Sequence, residues 1–206
     1  MKILFIGNSH TYMNDMPEIV RLNACEDIEV GMLARGGITF QDHLNDPSFS
    51  FAIKQKWDVV VIQQAAHDPC PSKEETLRDG KRMIDLIKKC GKKVYVLIPW
   101  SRKEDTVGFE VIKDIYDCLM KENDTEGIYA GYAVEKLDKY MNLYMKDHEH
   151  MNALGSYVEA CCVLKAIFNQ KTFQSLTVDM NHKEAFYSYK IEEQQSKLIE
   201  KVINEL

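Results

Sequence analysis

Four consecutive β-branched residues, Val59-Val60-Val61-Ile62, limit what this chain can fold into more than any other feature. A strand with no position set aside for a solvent-facing side chain is buried on both faces, and such strands belong to parallel sheets covered by helices on each side. The run lies in a candidate strand over residues 57–63, and the pattern around it recurs along the chain. A short apolar, β-rich run is followed each time by a longer amphipathic stretch. Further strand candidates are Lys2–Gly7, residues 28–34, residues 93–100 (KVYVLIPW) and a shorter one over 128–133. Between them lie helix signals. Asp15-Met16-Pro17-Glu18 offers a capping acid, an early Pro and a Glu three residues on. Ser72-Lys73-Glu74-Glu75 is a capping box for a helix running to Cys90 and stopped by Gly91. Asp105 opens a helix with Phe109, Ile112, Tyr116 and Leu119 at helical spacing. Ala153–Phe168 and residues 192–206 also read as helices. The alternation predicts an α/β fold, a three-layer α/β/α sandwich with a mainly parallel five-stranded sheet. Ligands of such sheets bind outside the carboxyl ends of the strands, which directs attention to loops 7–14, 35–43, 63–70 and 99–105.

With 206 residues, 45% of them apolar, and no linker, repeat or low-complexity tract, the chain reads as one domain over residues 1–206. The net charge of −6 and the scattered Lys and Arg argue against a nucleic-acid partner. The one cationic cluster, Lys88-Lys89-Cys90-Gly91-Lys92-Lys93, suits the end of a helix, where cations meet the macrodipole. No apolar run approaches the roughly 20 residues of a membrane span. The apolar stretch after Met1 is too short for a signal peptide, so a cytoplasmic protein is expected. The six cysteines form no C-x-x-C pair and are read as reduced thiols, mostly in the core, with Cys70 in a loop near the predicted site.

The first strand ends in Gly7-Asn8-Ser9-His10-Thr11. That sequence is neither a dinucleotide-binding nor a Walker glycine loop, and it lacks the second glycine of a G-x-S-x-G elbow. Ser9 would be a nucleophile if a base reached it; otherwise it caps a turn. Asp147-His148-Glu149-His150-Met151-Asn152 supplies such a base. Asp147 and His150 are three residues apart, so one turn of chain can bring the carboxylate against the imidazole, fix its tautomer and stabilise its charged form. Taken singly, Asp147 also suits a helix N-terminus and His150 an exposed loop. Asp147, His148 and His150, with His10 or His67, are also the residue types of a metal site, which would make the protein a metal-dependent hydrolase. Trp100, at a strand end, is a candidate wall for an acyl or alcohol pocket.

Together these blocks resemble the SGNH hydrolases, also called GDSL esterases/lipases. Ile6-Gly7-Asn8-Ser9 is similar to their strand followed by G-D-S, with Asn8 in place of Asp. Asp147-x-x-His150, followed by Asn152, Gly155 and a helix, is similar to their last block, with Met151 where Pro often stands. Gly36-Gly37-Ile38-Thr39 fits the glycine block after the second strand. The third block, normally G-x-N-D, reads Gln63-Gln64-Ala65-Ala66-His67-Asp68 here and has no Asn. The resemblance implies a flavodoxin-like α/β/α fold and a serine-dependent acylhydrolase of small-molecule carboxylic esters with short acyl or acetyl groups. It implies no cofactor, no metal and no membrane partner. Ser9 is the implied nucleophile, His150 the general base and Asp147 its orienting acid. The Ser9 and Gly37 amides would form the oxyanion hole with a third-block side chain. Gln63 is the expected donor, with Gln64 and His67 as rivals. Esterase, thioesterase and sugar deacetylase activities all fit. The missing Asn also admits a non-catalytic ligand- or carbohydrate-binding protein on the same fold.

Overall fold

The structure, a computed structural model, describes residues 1–66, 71–174, 177–182 and 185–206. Five strands form one sheet: β1 (Lys2–Gly7), β2 (Glu29–Ala34), β3 (Val59–Ile62), β4 (Lys93–Leu97) and β5 (Glu126–Ile128). They are all parallel, in the order β2-β1-β3-β4-β5. A separate antiparallel pair, β6 (Thr177–His182) and β7 (Ala185–Lys190), lies near the C-terminus. The helices are α1 (Ser9–Tyr12), α2 (Met16–Asn23), α3 (Phe40–Asn45), α4 (Pro47–Ala52), α5 (Lys73–Lys89), α6 (Thr106–Asn123), α7 (Ala130–Leu137), α8 (Ala153–Phe168) and α9 (Glu193–Asn204). Among the described residues no helix is long and apolar enough to cross a membrane.

The two-residue period of a strand divides its side chains between two cores. Ile3, Phe5, Val59, Val61, Tyr95 and Leu97 face one side, where α2, α7, α8 and α9 bury Ile19, Val134, Val158 and Ile199 against them. Leu4, Ile6, Val60, Ile62, Val94 and Val96 face the other, against Phe40, Phe49, Ile84 and Leu119 of α3 to α6. All four residues of β3 are buried, as a continuous apolar run demands. The expected α/β/α sandwich with a five-stranded parallel sheet is therefore present.

Local signals held unevenly. Ser72 and Glu75 form the capping box of α5, and Asp105 Oδ1 accepts the Gly108 amide at 2.8 Å to cap α6. The strand expected over 128–133 is instead β5 at Glu126–Ile128 followed by α7. Ala130, Ala133, Val134 and Leu137 are buried at helical spacing, so the apolar residues counted toward a strand belong to a helix face. Asp15 precedes α2 but makes no side-chain cap, because it sits in the left-handed region at φ 51°.

The chain leaves β1 toward β2 on one side and reaches β3 on the other. The carboxyl ends of β1 and β3 thus form a switch point, the place where ligands of such sheets bind. Ser9 follows β1 there directly.

Candidate active site

At the end of β1 the backbone turns at Gly7. A Cβ on that residue would lie 2.1 Å from Thr11 Oγ1 and 2.8 Å from Gln63 Oε1, so only glycine fits. Asn8 then caps α1, its Oδ1 accepting the His10 amide at 3.0 Å, and presents Ser9 as the first helical residue. His43, buried on α3, bonds the Gly7 carbonyl through Nε2 at 3.0 Å. Burial pushes its imidazole below the usual range, more than the Gly7 bond raises it.

Gln63 locks this turn. Its Oε1 accepts Thr11 Oγ1 at 3.0 Å and the Asn8 amide at 3.3 Å, while its Nε2 donates to the Gln64 carbonyl. Gln63 therefore buttresses the turn that presents Ser9, with its Oε1 and one of the two Nε2 hydrogens engaged there. Gln64 Oε1 accepts the Phe40 amide at 2.7 Å and the Ala65 amide at 3.1 Å, which ties the second-block loop to the end of β3. No hydrogen bond from its Nε2 is found among the described residues. His67 and Cys70 lie outside the described residues. The Ser9 and Gly37 amides likewise have no acceptor among the described residues, and Gly37 sits at φ 67°, a conformation that favours glycine.

The base comes from the far end of the chain. Tyr144 and Met151 form an antiparallel bridge, and the Met145 amide donates to the His150 carbonyl at 2.8 Å, closing a tight loop between them. Inside it, Asp147 Oδ1 accepts the Glu149 and His150 amides at 3.0 Å each, and Oδ2 meets His150 Nδ1 at 2.8 Å. Burial alone would push the Asp147 carboxyl up. The His150 ring and those two amides outweigh it and hold the carboxyl below its ordinary value. His150 Nε2 lies 2.9 Å from Ser9 Oγ, across 141 residues of chain. With its Nδ1 proton on Asp147, the ring offers its Nε2 lone pair to the serine hydroxyl.

A wall of rings stands beside this relay. His10 stacks on Trp100 with centroids 4.5 Å apart, and it meets the His150 ring edge-on at 5.6 Å. Trp100 is buried, and its Nε1 donates to the Glu149 carbonyl at 2.8 Å. It therefore braces the residue before His150, which the pocket-wall expectation did not anticipate. Arg102 pairs with the Glu149 carboxylate at 3.0 Å. His148 is exposed and left-handed, and among the described residues no cluster of three or more His, Cys, Asp or Glu is placed to hold a metal. Cys161 and Cys162 are buried in α8 with their thiols pushed up by burial, as core cysteines are.

One contributor was missed entirely. Asn14 and Asp15, in the turn Met13–Asp15 between α1 and α2, are both left-handed, at φ 57° and 51°. Each such residue costs on the order of 1 kcal/mol and persists only where its surroundings fix it. The Asn14 Nδ2 donates to the Met151 carbonyl and to Ser156 Oγ, both at 2.8 Å. An Asn-Asp pair just before Met-Pro is the available sequence signal, since these residues tolerate this backbone.

The fold, with a serine at the end of its first strand, is that of the SGNH, or GDSL, hydrolases. Among solved structures the chain is similar to a protein of Slackia heliotrinireducens described as a candidate SGNH hydrolase. That match has a TM-score of 0.70 and 21% identity, covering 81% of this chain and 98% of that one. It is also similar to a lipase/acylhydrolase of Enterococcus faecalis (TM-score 0.69, 16% identity, 84% and 97% covered). A third is a catalytic mutant of an acetylxylan esterase of Geobacillus stearothermophilus (TM-score 0.67, 15% identity, 81% and 93% covered). No family model and no curated protein matches the chain.

Proposed function

We propose that this protein is a serine esterase that hydrolyses small carboxylic esters bearing short acyl groups. The observation that carries the reading is the unbroken line from Asp147 Oδ2 through His150 to Ser9 Oγ, at 2.8 and 2.9 Å. Ser9 Oγ attacks the ester carbonyl while its proton passes to His150 Nε2, and Asp147 steadies the imidazolium. The carbonyl oxygen becomes an oxyanion, for which the Ser9 and Gly37 amides are the backbone donors. Among the described residues Gln64 Nε2 is the favoured side-chain donor, since Gln63 is engaged in the turn by its Oε1 and by one Nε2 hydrogen. As the intermediate collapses, His150 returns its proton to the departing alcohol. Water, deprotonated by the same ring, then attacks the acyl-serine and frees the acid and Ser9. The lipase/acylhydrolase and acetylxylan esterase among the structural neighbours support this chemistry and an acetyl-sized acyl group.

Hydrolysis of p-nitrophenyl acetate by the wild type and Ser9→Ala, each with and without EDTA, tests the reading. Activity that Ser9→Ala abolishes and EDTA leaves alone is expected. Activity that survives Ser9→Ala but not EDTA would point to metal chemistry at the Asp147/His148/His150 loop. A wild type inert toward p-nitrophenyl acetate, butyrate and thioacetate esters would favour a ligand-binding protein on this fold.

A further inference from the structure

We propose that Asn14 is a positioning residue: its side-chain amide fastens the segment carrying the nucleophile to the segment carrying the base, and so sets the approach of His150 to Ser9. The proposal rests on the Ser9–His150–Asp147 reading above. Asn14 lies just beyond the short helix that Ser9 opens. Its two Nδ2 hydrogens go to the carbonyl of Met151, the residue after His150, and to Ser156 in the first turn of α8, each at 2.8 Å. Ser156 Oγ in turn lies 3.5 Å from the Met13 carbonyl. One planar amide therefore spans both sides of the seam along which Ser9 and His150 face each other.

The backbone is arranged around this bond. Two successive left-handed residues, Asn14 and Asp15, interrupt the chain between α1 and α2, and Asp15 forgoes its capping bond to α2. Beyond the interruption α2 is an ordinary helix, with Met16, Ile19 and Val20 entering the core. Apolar contact between α2 and α8 brings the two segments together but is non-directional and tolerates sliding. Two hydrogen bonds from one rigid amide fix direction and distance. Asp at this position would face the Met151 carbonyl without a donor, and Ser would be too short and have a single hydrogen.

The test compares Asn14→Gly, Asn14→Asp and Ser156→Ala by kcat and KM on p-nitrophenyl acetate, by thermal melting, and by the ¹⁵N shifts of the His150 ring. Asn14→Gly keeps the left-handed backbone free of strain while deleting the amide. Its kcat should fall about 10- to 100-fold, the cost of an ångström-scale misplacement, with KM within about twofold of wild type. The His150 Nε2 shift should move toward its value in Ser9→Ala, where the hydrogen bond is gone. Asn14→Asp should behave alike, and Ser156→Ala should move the same readouts by less. Wild-type kcat and unchanged His150 shifts in Asn14→Gly would overturn the proposal. So would a loss of activity that only follows a loss of melting temperature with the shifts unmoved. If Asn14→Gly does not fold, Ser156→Ala decides by the same readouts. If the wild type cleaves no ester, the esterase reading fails, while the His150 shifts still decide whether Asn14 holds the ring in place.

Discussion

Under the proposed mechanism, Ser9, His150 and Asp147 act through contacts of 2.9 and 2.8 Å, so removing one disables the others. Ser9→Ala and His150→Ala should each abolish ester hydrolysis, and the double variant should be scarcely worse, because such residues act as a unit. Asp147→Asn should lower kcat by about 10⁴-fold by holding the wrong His150 tautomer. The two glutamines separate differently. Gln63→Ala should mainly lower the melting temperature, since it strips the Asn8 amide and the Thr11 hydroxyl of their acceptor. Gln64→Glu keeps an oxygen for the Phe40 and Ala65 amides but turns the donor into an anion, so kcat should drop about 10²–10³-fold with little change in KM. Equal kcat in both variants would remove Gln64 from the oxyanion hole. Ser9, Asp147 and His150 could be picked out of the sequence because each sits in a short local pattern. The choice between adjacent glutamines could not, because it depends on which neighbour claims each amide. Asn14 was illegible for the same reason, its two acceptors lying 137 and 142 residues away.

Among the helices, α8 carries the feature that most departs from its surroundings. Glu159 is fully buried, and neither carboxylate oxygen has a hydrogen-bond partner among the described residues. Desolvation raises its carboxyl well above the ordinary value, so the folded protein keeps a proton that the unfolded chain releases. At this site the folded state thus binds more protons, so the contribution of Glu159 to stability falls as the pH climbs above the unfolded carboxyl value. Urea denaturation from pH 5 to pH 8 should show that decline in wild type and a flatter profile in Glu159→Gln. An unchanged slope would mean the carboxyl is ionised in the fold. Lys73–Lys89 and Ala153–Phe168 were readable as helices because caps and long apolar stripes mark them. The α7 helix was not, because Ala130, Gly131 and Ala133 directly after a strand carry too little side chain to declare a period.

For the molecule as a whole, the sheet behaves as a partition that divides the buried apolar side chains of the described residues into two clusters. Ile3 belongs to one core and Ile62 to the other. Ile3→Val and Ile62→Val should each cost about 0.5–1.5 kcal/mol. The double variant should cost their sum within about 0.5 kcal/mol, as distant sites do; a larger discrepancy would mean that strain passes through the sheet. This architecture was the most legible part of the sequence, since a run such as Val59-Val60-Val61-Ile62 is stable only between two layers. The separation of 141 positions between Ser9 and His150 also imposes an order of events on synthesis. A ribosome delivers Ser9 first and His150 only after all five parallel strands have been made, so under the proposed mechanism a growing chain carries an unactivated alcohol until residue 150 emerges. Under the proposed mechanism, ester cleavage therefore reports whether the segments carrying Ser9 and His150 are assembled in one fold.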